Sequence, residues 1–192
     1  VAPEVEKLFA DQGLPLLSGY GLTEASPVIS ATRKENYAPG IVGRPLRDVE
    51  VRLAADGEIQ VRGPNVMLGY WESPEATARV LHDGWLRTGD IGRFDPEGYL
   101  SLVGRSSDMI KTGGVNVYPA EIEPVLMASE DVAHAAVVGI SDPDWGEKVV
   151  ACVVRKRDCT EADILEYCRS RLAPYKRPKE IAFFESLPET AT

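Results

Sequence analysis

Apolar and polar side chains alternate along "RDVEVRLA" (47–54) and again along "GEIQVRG" (57–63), and the intervening "ADGE" carries the Asp and Gly of a tight turn. A period of two puts every second side chain on one face, so the pattern predicts two half-buried antiparallel strands. The same pattern returns in "LRTGDIGRF" (86–94) and "GYLSLVG" (98–104) around "DPEG", whose Pro and Gly suit a turn. Together these segments predict a small sheet or barrel. Between them, "ESPEATARVL" offers Ser73 as an N-cap and Pro74 as first helical residue, which predicts a short helix.

From about Asp108 the period becomes mixed. Ala120 to Ala128 reads as a helix with Ile122, Val125 and Leu126 on one face, although Pro124 lies past the first turn, where it removes a hydrogen bond. "AHAAVVGI" and "KVVACVV" predict two strands joined through "SDPDWGE". "EADILEYCRSRL" follows Thr160, a capping hydroxyl, and sets Ile164, Leu165, Cys168 and Leu172 in one stripe. "EIAFFESL" supplies a last strand. The second half is thus a helix-strand-strand-helix-strand unit with enough apolar positions for its own core, and the fold class is mixed α+β.

Composition narrows the function. With 44% hydrophobic and 27% charged residues the chain matches globular proteins, and no apolar run approaches the roughly 20 residues of a membrane span. A formal charge of -9 disfavours nucleic acid as the main partner. Cys152, Cys159 and Cys168 have no metal-type spacing, so they read as reduced, buried thiols of a cytoplasmic protein. The chain begins "VAPEVEKLF" and ends "LPETAT" with no signal-like region, and it reads as a piece cut at both ends.

Two loops carry candidate chemistry. Asp90 follows Gly89 at the expected start of a strand, where a carboxylate can accept both hydroxyls of a ribose. Arg105 lies across the expected hairpin, and its planar fork of donors suits ribose or phosphate oxygens. Gly113 and Gly114 allow a thin ligand to approach bare backbone. In "SGYGLTEASP", Tyr20 can stack on a base, Thr23 can bond a phosphate oxygen, and Glu24 can hold Mg²⁺, which favours one or two carboxylates with phosphates and waters. Each residue also has a plainer reading: a turn-capping Asp90, a surface pair for Arg105, glycines that only turn the chain.

Four segments in order, "GYGLTE" (19–24), "GWLRTGD" (84–90), "GRSSDMIKTGGVNVYPAEIE" (104–123) and "YKRPKEIAFFESLP" (175–188), resemble the signature motifs of the adenylate-forming superfamily of acyl-CoA synthetases, adenylation domains and luciferases. "KTGGVNVYPAEIE" is similar to the CoA-ligase branch, and "GYGLTEASPV" to fatty-acyl-CoA synthetases, with aryl-CoA and malonyl-CoA ligases as close competitors. The resemblance implies that 1–105 is the β-barrel-like tail of a large ATP- and acyl-binding domain, 106–108 a hinge, and 109–192 a small mobile C-terminal domain. It implies a carboxylic acid activated by ATP and Mg²⁺ to acyl-AMP and pyrophosphate, then transferred to CoA. By motif, Tyr20 meets adenine, Thr23 the α-phosphate, Glu24 Mg²⁺, and Asp90 and Arg105 the ribose. Gly113 and Gly114 line the pantetheine tunnel, Trp145, Tyr175 and Arg177 contact the CoA nucleotide, and the pivot is Ser107 or Asp108. The same resemblance places the pyrophosphate-gripping loop before Val1 and the adenylating lysine after Thr192, so these 192 residues alone are expected not to form acyl-adenylate. A carrier-protein-loading enzyme and a non-enzymatic nucleotide- or CoA-binding module are the rival readings.

Overall fold

The two alternating pairs of segments become four strands of one antiparallel sheet in the computed structural model, which describes residues 3–188. Helix α1 (Pro3–Asp11) leads into three two-residue strands, β1 (Gly19–Tyr20), β2 (Ser30–Ala31) and β3 (Arg44–Pro45), paired in that order. These are too short to show alternation, and the periodicity does not find them. The hairpin of β4 (Glu50–Leu53) and β5 (Glu58–Arg62) sets Val51 opposite Val61 and Leu53 opposite Ile59. After α2 (Pro74–Val80) and β6 (Leu81–His82), the long β7 (Trp85–Phe94) pairs with β5 along one edge and with β6 and β8 (Leu100–Arg105) along the other. A single bridge, Gly43 to Leu100, joins the three-stranded sheet to this one. Ile59, Val61, Leu86 and Leu100 are buried with Tyr20, Ala25 and Ile29 as one core, which matches the inward positions of the alternation.

Strand β7 is irregular where the chemistry-bearing residues lie. Arg87 faces Gln60 and Ile91 faces Glu58, so Thr88, Gly89 and Asp90 together oppose Ile59 alone. A second shift against β8 falls between Ile91 and Gly92. Bulges of this kind bend a strand and re-aim its side chains. Asp90 therefore sits inside a strand and on a bulge, whereas the sequence suggests a strand start.

Residues Ser107–Thr192 form a second unit, distinct from Val1–Ser106, with its own core. Strands β9 (Ile110–Thr112) and β10 (Val115–Val117) make a hairpin whose two turn residues, Gly113 and Gly114, have φ of +56° and +78°. Helix α3 (Pro119–Met127), β11 (Val132–Asp142), β12 (Gly146–Arg155), α4 (Glu161–Arg169) and β13 (Glu180–Phe184) follow in the expected order. The sheet runs β10-β9-β12-β11, and β13 lies parallel to β12 after the α4 crossover. Pro124 is accommodated inside α3, whose Ile122 and Leu126 are fully buried, and its carbonyl still accepts the Ala128 N–H at 3.0 Å.

Helix α4 begins with a reciprocal cap: Asp163 N–H donates to Thr160 Oγ1 at 3.3 Å and Thr160 N–H to Asp163 Oδ2 at 2.8 Å. It ends at Arg169, short of Leu172, which is buried all the same. Ser73 occupies the N-cap position of α2 without a side-chain bond. The three cysteines are free, Cys159 and Cys168 buried and Cys152 half-buried, and burial pushes each thiol up. No described helix is long and apolar enough to cross a membrane.

Candidate functional site

Asp90 and Arg105 are direct cross-strand partners in β7 and β8. Their charges meet at 3.8 Å, Arg105 Nε to Asp90 Oδ1, too long for a hydrogen bond, so the pair leaves the guanidinium donors available to a ligand. Asp90 Oδ2 is held from the other side by the Tyr20 hydroxyl, which donates at 2.7 Å. Tyr20 lies 70 residues from Asp90 in sequence and is 5% exposed. At that exposure little ring surface is open to a base, and the phenol holds a carboxylate. Burial pushes the Tyr20 phenol well up, and the bond to Asp90 adds to the shift while a Thr88 hydrogen bond opposes it.

The bulge that carries Asp90 is held by the buried Glu58 and the half-buried Thr88. Glu58, 3% exposed, accepts the Gly89 N–H at 2.9 Å on Oε1 and Arg87 Nε at 2.7 Å on Oε2. Thr88 Oγ1 donates to the Ile59 carbonyl at 2.8 Å and accepts the Asp90 N–H at 3.1 Å. Gly89 has φ of +75°, and nothing lies within 4 Å of where a Cβ would stand, so glycine is required here by backbone conformation and not by space.

Thr23 and Glu24 open a 3₁₀ turn, Thr23–Ala25, and Asn65 pins it by donating to the Ala25 and Val28 carbonyls, each at 3.0 Å. Glu24 Oε1 accepts the Tyr70 hydroxyl at 2.8 Å. Glu24 and Tyr70 share a cleft of about 230 Å³ with Leu22, Glu58, Arg87 and Thr88. Thr23 is exposed on the same turn and does not line that cleft. Among the described residues no group of three or more His, Cys, Asp or Glu could hold a metal ion alone. One carboxylate with an oxygen to spare, as Glu24 has, fits a Mg²⁺ whose other ligands are phosphates and water.

The second unit gathers other sequence candidates around the β9–β10 turn. Gly113 N–H donates to the Trp145 carbonyl at 2.9 Å, and a Cβ on Gly113 would stand 3.0 Å from the Trp145 ring. Nothing lies within 4 Å of the Cβ direction of Gly114, so of the two glycines only Gly114 presents open space. Trp145 is 46% exposed, with Lys179 Nζ 4.3 Å from its ring centroid. Tyr175 is exposed on a turn, Pro174–Lys176, that packs beside β10.

Arg177 is placed otherwise than expected. Its Nε donates to the Leu172 carbonyl at 2.9 Å and its Nη2 to the Arg169 carbonyl at 2.8 Å, so it caps the end of α4 and is committed to the fold. Ser107 and Asp108 lie in a turn, Ser106–Asp108, where the Ser107 hydroxyl donates to Asp108 Oδ1 at 2.8 Å. Sequence reasoning misses Glu58, Asn65, Tyr70 and Thr88. Glu58, Asn65 and Tyr70 act through partners distant in sequence and lie outside the quoted motifs, whereas Thr88 lies within "GWLRTGD" and only its bond to the Ile59 carbonyl depends on the fold.

Residues 1–71 match the family model described as AMP-binding enzyme, and 121–192 the one described as AMP-binding enzyme C-terminal domain. A 2-succinylbenzoate–CoA ligase of Bacillus cereus (strain ATCC 10987 / NRS 248) is 42% identical over 95% of this chain and 40% of its own length. An indoleacetate–CoA ligase of Aromatoleum aromaticum (strain DSM 19018 / LMG 30748 / EbN1) is 44% identical over 94% of this chain and 38% of its own. The o-succinylbenzoate CoA synthetase of Bacillus subtilis, solved with its acyl-adenylate intermediate, superposes with a TM-score of 0.90 at 35% identity, over 98% of this chain and 41% of that one. The same enzyme with ATP and magnesium ion gives a TM-score of 0.87 at 35% identity, over 98% and 42%. The chain thus spans about 40% of the length of the relatives it matches.

Proposed function

The chain belongs to the adenylate-forming family of AMP-binding enzymes, and from that premise we propose that it supplies the nucleotide clamp and small C-terminal domain of an ATP-dependent acid–CoA ligase. In this reading the whole enzyme joins a carboxylate to ATP, giving acyl-AMP and pyrophosphate. The CoA thiol then displaces AMP. One observation carries the proposal: Asp90 and Arg105 converge as cross-strand partners, with Tyr20 fixing the carboxylate from behind.

Asp90 Oδ1 accepts from ribose hydroxyls, and Arg105 donates to sugar or phosphate oxygens with the donors its long ion pair leaves available. Thr23 donates to an α-phosphate oxygen. Glu24 offers its second oxygen toward Mg²⁺, which when bound neutralises phosphate charge. Preformed groups of this kind stabilise developing charge without reorganising during the reaction. In the small domain, Gly114, Trp145 and Tyr175 present backbone and exposed aromatic surface suited to the pantetheine and base of CoA. The 106–108 segment is the hinge, where Ser107 and Asp108 absorb the backbone rotation between the half-reactions.

For the acid we propose an aryl carboxylate rather than a fatty acid. Support comes from the names of the relatives, 2-succinylbenzoate–CoA and indoleacetate–CoA ligases, at 42% and 44% identity. Pyrophosphate release and CoA-thioester formation by the full-length protein test both steps against aromatic and aliphatic acids. Turnover with aromatic acids is expected to dominate. A preference for long aliphatic acids overturns the substrate assignment, and absence of ATP-dependent pyrophosphate release with every acid overturns the ligase.

A further inference from the structure

Glu58 has no place in the sequence motifs, yet it is among the most buried charged residues described, at 3% exposure. A carboxylate taken out of water is destabilising unless its oxygens find donors. Glu58 finds both of its donors on β7: Oε1 takes the Gly89 N–H at 2.9 Å and Oε2 takes Arg87 Nε at 2.7 Å. Regular pairing between β5 and β7 would satisfy the Gly89 N–H with a backbone carbonyl. The bulge opposite Ile59 removes that partner, and the Glu58 side chain replaces it.

The bulge is also what sets the direction of Asp90. Gly89 adopts φ of +75°, its N–H is tied to Glu58, and the next residue is Asp90, whose carboxylate reaches Tyr20 and Arg105. Thr88 closes the other half by bridging the Ile59 carbonyl and the Asp90 N–H. Loss of Glu58 leaves the half-buried Gly89 N–H and the exposed Arg87 guanidinium without their protein acceptor, and the three-residue bulge loses the anchor at its centre.

The geometry points to Glu58 as a positioning residue for nucleotide binding: through Gly89 and Arg87 it holds the bulge that aims Asp90 at the ribose. This inference rests on the proposed ribose role of Asp90, so its test scores the two separately. In the full-length protein, calorimetry measures affinity for AMP and for 2′,3′-dideoxy-AMP in wild type, Asp90→Ala, Glu58→Ala and Glu58→Gln, with Tm recorded for each. The wild type prefers AMP, Asp90→Ala loses the preference, and Glu58→Ala reduces it by roughly tenfold, the scale of losing one charge-assisted hydrogen bond. Glu58→Gln retains an acceptor for the Gly89 N–H and falls between. A purely structural glutamate lowers Tm while the folded Glu58 variants keep the wild-type preference, and that result overturns the inference. Should Asp90→Ala keep the preference, the ribose reading itself fails. If Glu58→Ala does not fold, the isosteric Glu58→Gln decides by the same ratio.

Discussion

The Tyr20 hydroxyl, donating to Asp90 at 2.7 Å from inside a core, ties the stability of the first unit to the state of its candidate ribose ligand. Burial, and then the bond to Asp90, hold the phenol above its ordinary value. The folded chain therefore keeps this proton at a pH where the unfolded chain has released it. The stability contributed is complete below about pH 10, the ordinary phenol value, and is lost progressively as pH rises above it. Urea unfolding at about pH 8 and about pH 10.5 is expected to show a steeper loss in wild type than in Tyr20→Phe. Equal slopes would remove Tyr20 from the account. Arg177 makes a second point at this scale. Since two of its donors are bonded to carbonyls at the end of α4, Arg177→Ala is expected to lower stability by about 1–3 kcal/mol while leaving KM for CoA within about twofold. A large rise in that KM with unchanged unfolding would return Arg177 to the CoA site.

At the level of elements, the β9–β10 turn separates two costs that glycine usually combines. Gly113 and Gly114 both have positive φ, so alanine at either strains the backbone by about 1 kcal/mol or more. Only at Gly113 does a Cβ also meet the Trp145 ring, at 3.0 Å. Gly113→Ala is accordingly expected to destabilise more than Gly114→Ala and to alter Trp145 fluorescence, both readable in one denaturation series. On α4, Thr160→Ala removes one arm of the capping box and should lower stability by about 1 kcal/mol. The bulged β7 shows how an element serves a site: a regular strand would satisfy its backbone donors and leave Asp90 on the ordinary pleat, whereas the bulge re-aims it and needs Glu58 and Thr88 to satisfy what pairing no longer does.

Across the whole molecule, two cores divide the labour. Tyr20, Asp90 and Arg105 belong to Val1–Ser106, and the Gly113–Trp145 cluster to Ser107–Thr192. Leu126 is fully buried in the second core, so Leu126→Ala is expected to destabilise that unit by about 2–5 kcal/mol. AMP affinity, measured by calorimetry below the unfolding transition, should remain within about twofold because the proposed clamp lies in the other unit. A parallel collapse of AMP binding would show that the clamp needs groups from both. Against a formal charge of -9, a phosphorylated ligand is met by the donors that Arg105 keeps available in its long pair with Asp90, since Arg87 is already bonded to Glu58.

What the sequence alone determined is what depends on neighbours along the chain. Alternation specifies β4, β5, β7 and β8 because side chains two apart share a face, Thr160 specifies the start of α4 because its hydroxyl caps the turn that follows it, and Asp90 and Arg105 are read as partners because one short turn joins their strands. Tertiary structure alone decided what depends on groups distant in sequence. The two-residue strands β1 to β3 exist only as pairs, the phenol of Tyr20 reaches Asp90 at a sequence separation of 70, and Arg177, expected at the CoA nucleotide, bonds the carbonyls that end a helix. Glu58 belongs with these: a glutamate on an alternating strand reads as surface, and only the missing ladder partner of Gly89 explains why it is buried.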